Sequence, residues 1–304
     1  MAVKTVQAVI NGVTTTLTYN STSKKYEATI TAPATSSYNN NDGHYFPVTI
    51  KATDEAGNVT TKNDTDATLG SSLQLRVKEK TAPAITITYP TASALIINNK
   101  PAIRWKVTDN DSGVNPDTIG ITIDSGGKVT GNAITKTAIT GGYDCTYTPT
   151  TALADGSHTI KIDAADNDGN AATQKSVTFK IDTVPPTLSV TAPVNGLITN
   201  KAACTVTGTT NDITSSPVTV TVKLNSGSAE AVTVGADGSF SKALTLASGS
   251  NTITVVATDS AGKSTTVTRT VTLDTVAPTI KAVTLTPNPV DAGKTYVISV
   301  EVTD

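Results

Sequence analysis

A turn motif repeated three times constrains this chain more than any other feature. "ATDEAGN" (52–58), "AADNDGN" (164–170) and "ATDSAGK" (257–263) are copies of one element, each entered by an alternating strand: "VTIKATD", "IKIDAAD", "ITVVATD". In such a turn the Asp accepts hydrogen bonds from amides of its own loop, and the Gly takes positive φ. Self-similarity of this kind marks a repeat architecture in which each copy is one structural module. A second element recurs in step: "KTAPAITI" (80–87), "TVPPTLSV" (183–190) and "TVAPTIKA" (275–282). Its proline interrupts a sheet ladder and stiffens the crossing between modules.

The residues between these landmarks are rich in Val, Ile and Thr, which fit a pleated sheet, and no segment carries a sustained 3.6-residue apolar stripe. The chain reads as all-β, and 304 residues suffice for two or three domains. A net charge of −2 provides no basic field, so nucleic acid is not an expected partner. Aromatic residues are only 4% of the chain, a thin supply for stacking platforms. There is no run of 18 apolar residues to span a membrane. The opening "MAVKTVQAVING" lacks the charged and apolar regions of a secretory signal.

The junctions resemble those of bacterial immunoglobulin-like tandem repeats, found in surface proteins and phage structural proteins. "NTITVVATDSAGKSTTVTRTVTLDTVAPT" (251–279) is especially similar to the final two strands and linker of that family. The resemblance covers nearly the whole chain and implies tandem β-sandwiches. It is specific for fold and weak for function, because such modules serve as spacers, adhesins and enzyme accessories.

Pro83 to Asp109, Pro186 to Asp212 and Pro278 to Asp304 each span 27 residues. In the first, "PAITITY" reads as strand A and "AIRWKVTD" as strand B; Ile103, Val206 and Ile298 share one position. Residues 3–33 read against 218–248, strand C onward, with an Asn11–Gly12 hairpin and "KYEATIT" as a later strand. Four pieces are therefore expected: residues 1–80, a sandwich lacking strands A and B; 81–183 and 184–275, two complete sandwiches; and 276–304, strands A and B of a fourth.

Three sandwiches in a row would extend on the order of 100 Å, so completion between molecules is easier than folding back. The joining strands would present Ile280, Leu285, Tyr296, Ile298, Val300 and Val302. The expected acceptor edge is Val3, Val6, Ala8 and Ile10. The expected partner is a second copy of the chain, or a related immunoglobulin-like chain, in head-to-tail strand addition. Two other readings are open: a fragment of a longer array cut out of phase, or an independent five-stranded first domain with a mobile tail.

Candidate chemistry is sparse. Asp109 and Asp111, in "DNDSGVNPD", offer hard oxygens for calcium, and Asp163, Asp166, Asp168 and Asn170 form a similar group. The competing reading is turn capping, and the spacing of an EF-hand is absent. His44 and His158 precede strands and read as structural or surface residues. No nucleophile–base motif or phosphate loop is present, so neither enzyme activity nor an organic cofactor is expected. The loop 34–46, with Tyr38, Tyr45 and Phe46, is a candidate contact for a surface glycan or else a polar loop with core-facing aromatics. Trp105 alternates with Ile103 and Val107 as a core residue. Cys145 and Cys204 read as buried apolar residues without a disulfide. The expected function is a non-enzymatic fibre or appendage on a bacterial surface or phage particle, the rival being an adhesion array of a larger secreted protein.

Overall fold

The computed structural model describes residues 2–304, which divide into two units, the first ending at Ile181 and the second beginning at Asp182. The first unit opens with a single antiparallel sheet. β1 (Val3–Ile10), β2 (Val13–Asn20), β3 (Lys25–Glu27), β4 (Phe46–Asp54) and β5 (Val59–Lys62) lie in the order β3-β2-β1-β4-β5, with β6 (Gln74–Leu75) on β4. Asn11 and Gly12 both have positive φ, which closes the β1–β2 hairpin in the twist that flanking strands require.

Two facing sheets follow in the same unit. β7 (Ala84–Tyr89), β8 (Leu95–Ile96), β9 (Ile103–Thr108), β10 (Val114–Ile123), β11 (Thr135–Ile139), β12 (Gly142–Tyr147), β13 (Gly156–Asp166) and β14 (Lys175–Ile181) build the layers β11-β12-β9-β7 and β10-β13-β14-β8. Alternate residues of both layers meet in one core containing Ile103, Trp105, Val107, Ile160, Ile162 and Phe179. Cys145 joins them, and burial pushes its thiol up to about 11, so it packs as a small apolar group.

The second unit repeats the plan. β15 (Thr187–Ala192), β17 (Ala203–Asn211) and β20 (Ser239–Thr245) form one layer, in the order β15-β17-β20. β16 (Leu197–Thr199), β18 (Thr219–Leu224), β19 (Glu230–Val232), β21 (Gly249–Thr258) and β22 (Ser264–Leu273) form the other, in the order β16-β22-β21-β18-β19. Cys204 is half-buried beside this core, and both cysteines are free thiols. Gly208 sits where an added Cβ would strike the Ser189 carbonyl and the Phe240 ring. Gly208→Ala is expected to destabilise this sandwich by about 1–3 kcal/mol, measured by chemical denaturation; an unchanged midpoint would contradict the packing.

β23 (Thr279–Thr286) and β24 (Val297–Thr303) pair only with each other, and every residue of both strands is exposed. Tyr296 precedes the ladder instead of belonging to it.

Two expectations for the first sheet need correction. β1 is paired on both sides, by β2 and β4, so Val3, Val6, Ala8 and Ile10 do not form an edge. The segment "KYEATIT" is a strand only over Lys25–Glu27, where it pairs with β2. In the third sandwich the matching strand, β20, pairs along its length with β17. Residues 2–80 contain no counterpart of β17, and residues 28–33 have no ladder to join.

His158 shows how a polar side chain is held inside a sandwich. Its Nδ1 faces Asp124 Oδ2 at 2.7 Å and its Nε2 faces the Ala154 carbonyl at 2.7 Å. With an acceptor at each nitrogen, the doubly protonated ring satisfies both. Burial opposes the charge, but the Ala154 carbonyl and the Asp124 carboxylate outweigh it and raise the pKa above 6.5. A raised folded pKa contributes stability that is full below the unfolded value and lost as pH rises through the folded one. The sandwich of residues 81–183 should therefore unfold at a higher temperature near pH ~6 than near pH ~8. His158→Gln should flatten that slope; an equal slope in the variant would refute the assignment.

Candidate functional site

Each of the repeated Asp–Gly turns closes in the same way. Asp54, Asp166 and Asp259 accept the amides of Asn58, Asn170 and Lys263 through Oδ1 at 2.8, 2.7 and 2.9 Å. Gly57, Gly169 and Gly262 all have positive φ. The loops after β9 and β17 are shaped by a second Asp. Asp109 Oδ1 accepts the amides of Asp111 and Gly113, and Asp212 Oδ1 accepts those of Thr214 and Ser215.

These turns lie at one pole of each sandwich, and a third acid arrives there from the preceding linker. Carboxylate oxygens of Glu79, Asp109 and Asp166 lie within 4.8 Å of one another, as do those of Asp182, Asp212 and Asp259. In both clusters one acid follows a strand of one layer (β9 or β17) and another ends or follows a strand of the opposite layer (β13 or β21). The clusters thus bridge two sheets and a linker.

Their electrostatics demand a counter-charge. Two unit charges about 4.8 Å apart repel by roughly 3–4 kcal/mol at an effective dielectric of ~20. Oxygens within 4.8 Å of one another fit a common calcium sphere, where opposite ligands at ~2.4 Å are separated by about that distance. The turn amides use the Oδ1 atoms of Asp182 and Asp259, whereas both Oδ2 atoms are buried without a partner. Asp182 is 1% exposed and Asp259 6%. The hydroxyls of Ser112 and Ser215, each three residues after the acid on its loop, are likewise buried and unpartnered. Orphaned buried oxygens facing like charges are the donor set a hard divalent cation would satisfy.

Of the sequence-predicted ligands, Asp109 and Asp166 meet, although they were expected in separate groups. Asp111 turns both oxygens onto the Ser36 amide, at 2.9 and 3.1 Å. Asp168 accepts the Glu79 amide, and Asp163 accepts Gln174 and faces Lys128. Glu79 was missed, yet a signal existed: Glu79, Asp182 and Asp274 each stand four residues before Pro83, Pro186 and Pro278. The aromatics of loop 34–46 are committed internally. Tyr38 stacks on His44 with centroids 4.0 Å apart, Tyr45 bonds Asp64, and Phe46 is buried.

A second feature is an uncovered core face. Ile103, Trp105 and Val107 are 0% exposed, whereas Ile298, Val300 and Val302, at the same three positions counted from the linker proline, are 57%, 50% and 52% exposed. The first sheet mirrors this. Val48, Ile50 and Ala52 match Ile160, Ile162 and Ala164 in distance from the Asp–Gly turn, yet are only partly buried. Register places Val6, Ala8 and Ile10 opposite Ala52, Ile50 and Val48, as Val220, Val222 and Leu224 oppose Ala257, Val255 and Ile253. The sequence match of 3–33 to 218–248 is thus one residue out in this strand.

Residues 91–183 match the family model for a bacterial Ig-like domain, and residues 186–275 that for glucodextranase domain B. No curated protein matches significantly. Among solved structures, the chain is similar to the I-band fragment I67–I69 of titin at 13% identity, covering 90% of this chain and 88% of that one, TM-score 0.44. It is also similar to the fibronectin(III)-like modules of Clostridium thermocellum CbhA, at 18% identity over 63% and 94% of the two chains, TM-score 0.32. Each matched segment folds as a two-layer β-sandwich, and residues 91–183 are similar to the bacterial Ig-like domain family.

Proposed function

We propose that this protein is a non-enzymatic structural array whose copies join head to tail by β-strand complementation, outside the cell on a bacterial surface or virion. The β23–β24 hairpin of one copy lies over the first sheet of the next and supplies the missing layer. The observation that carries this reading is a pair of position sets sealed in the sandwich of residues 81–183, one of which is exposed in the hairpin and the other only partly buried in the first sheet. Residues 28–33, which lack a ladder partner, are the edge on which β24 would pair, as β17 pairs with β20.

The energetics are adequate. Covering Tyr296, Ile298, Val300 and Val302 contributes roughly 1.5–3 kcal/mol each, about 6–12 in total. Association and ordering cost an estimated ~4–15 kcal/mol, which the acceptor side chains and ladder hydrogen bonds help to offset. A head-to-tail contact does not close on itself unless a ring forms, and its ordinary product is a filament. The two acidic clusters are read as divalent-cation sites, with calcium the best fit to an all-oxygen set.

Sedimentation velocity and negative-stain microscopy on the purified chain test the joint. Concentration-dependent polymers are expected, and a monomer at every concentration would overturn it.

A further inference from the structure

We infer that the joint between two copies builds a third cation site from Asp274 and Asp304 of the donor and Asp54 of the acceptor. The inference rests on the head-to-tail reading above.

Each complete cluster takes its acids from three fixed places: the linker four residues before the proline, the residue 26 positions after that proline, and the Asp of the Asp–Gly turn. Asp274 and Asp304 occupy the first two places relative to Pro278. Their local shaping agrees with this. Asp274 Oδ1 accepts the Val276 amide at 3.0 Å, as Asp182 Oδ1 accepts that of Val184 at 3.2 Å.

The third place is supplied by the first sheet. Asp54 bonds the Asn58 amide and side chain at 2.8 and 2.9 Å, the same pair of contacts that Asp166 makes with Asn170. Among the described residues before Asp54, no acid stands four residues ahead of a proline and no β9-like strand is present. Seating the hairpin as the missing layer brings all three acids to one pole. Two carboxylates from one copy then meet a third from its neighbour. In the Asp182–Asp212–Asp259 cluster, two buried and unpartnered carboxylate oxygens show that this geometry leaves ligand capacity unused. The cation would therefore bind assembled copies in preference to separate ones, and it would favour assembly by mass action.

The test uses the full chain in chelator and in calcium above the roughly 10⁻⁴–10⁻³ M range of extracellular modules. Sedimentation velocity should show apparent self-affinity rising about tenfold or more with calcium. Calcium titration of assembled chain should find one more equivalent per copy than the same chain lacking residues 278–304. Asp274→Asn with Asp304→Asn, both exposed in the separate chain, should remove the calcium response and the extra equivalent while the hairpin still joins copies. Equal assembly with calcium and chelator in the unaltered chain would overturn the composite site and leave strand complementation standing. No assembly in either buffer would overturn both.

Discussion

Ile298→Asp combined with Val300→Asp is expected to abolish head-to-tail assembly while the two complete sandwiches stay folded. In the separate chain both side chains are at least half exposed, so the change leaves no hole in a core. In the joint the same positions correspond to Ile103 and Trp105, which are fully sealed. Two carboxylates would then enter an apolar layer without partners, each costing several kcal/mol. That exceeds the net gain of an interface whose favourable burial is about 6–12 kcal/mol before costs. Only monomer should sediment, with an unaltered circular dichroism melt. Polymers of ordinary length from the double variant would sink the strand-complementation reading.

Trp105→Ala is expected to destabilise the sandwich of residues 81–183 by about 3–5 kcal/mol. Trp105 is fully buried on β9, with Ile87 and Cys145 as its cross-strand neighbours on either side. Its removal empties the centre of one layer, where rigid strands on both sides cannot collapse into the space. Trp105→Phe should cost much less, because the indole N–H is buried without a partner and its loss forfeits no hydrogen bond. Trp105 is the only tryptophan, so denaturation is best followed by circular dichroism and amide exchange. A loss below about 1 kcal/mol for the alanine variant would show that the core repacks around the gap.

The period-2 pattern made much of this molecule legible. Alternation of Ile103, Trp105 and Val107 placed a core strand, and proline spacing aligned it with Val206 and Ile298. The Asp–Gly turns were readable because a short polar motif closes its own hydrogen bonds and needs no distant partner. Pairing order was harder. Val3, Val6, Ala8 and Ile10 carry the composition of a strand, but nothing in them states that β2 and β4 flank both sides. Residues 28–31 have a strand's alternation too, but alternation alone does not specify a pairing partner, and no ladder forms there. The acidic clusters were only half visible. Asp109 and Asp166 lie far apart in sequence, and Glu79 gains meaning only when its place before Pro83 is compared with that of Asp182 before Pro186.

The linker at Glu79 bears on how tension would travel through the first unit. Glu79 Oε1 accepts the Ser112 amide in the loop after β9, and its carbonyl accepts Asn170 Nδ2 in the turn after β13. Those loops belong to opposite layers, so a pull entering along the backbone is handed to both sheets together. The outermost strand β7 is thereby shielded from being peeled away first, and resistance to stretching becomes a property of the whole sandwich instead of its weakest seam.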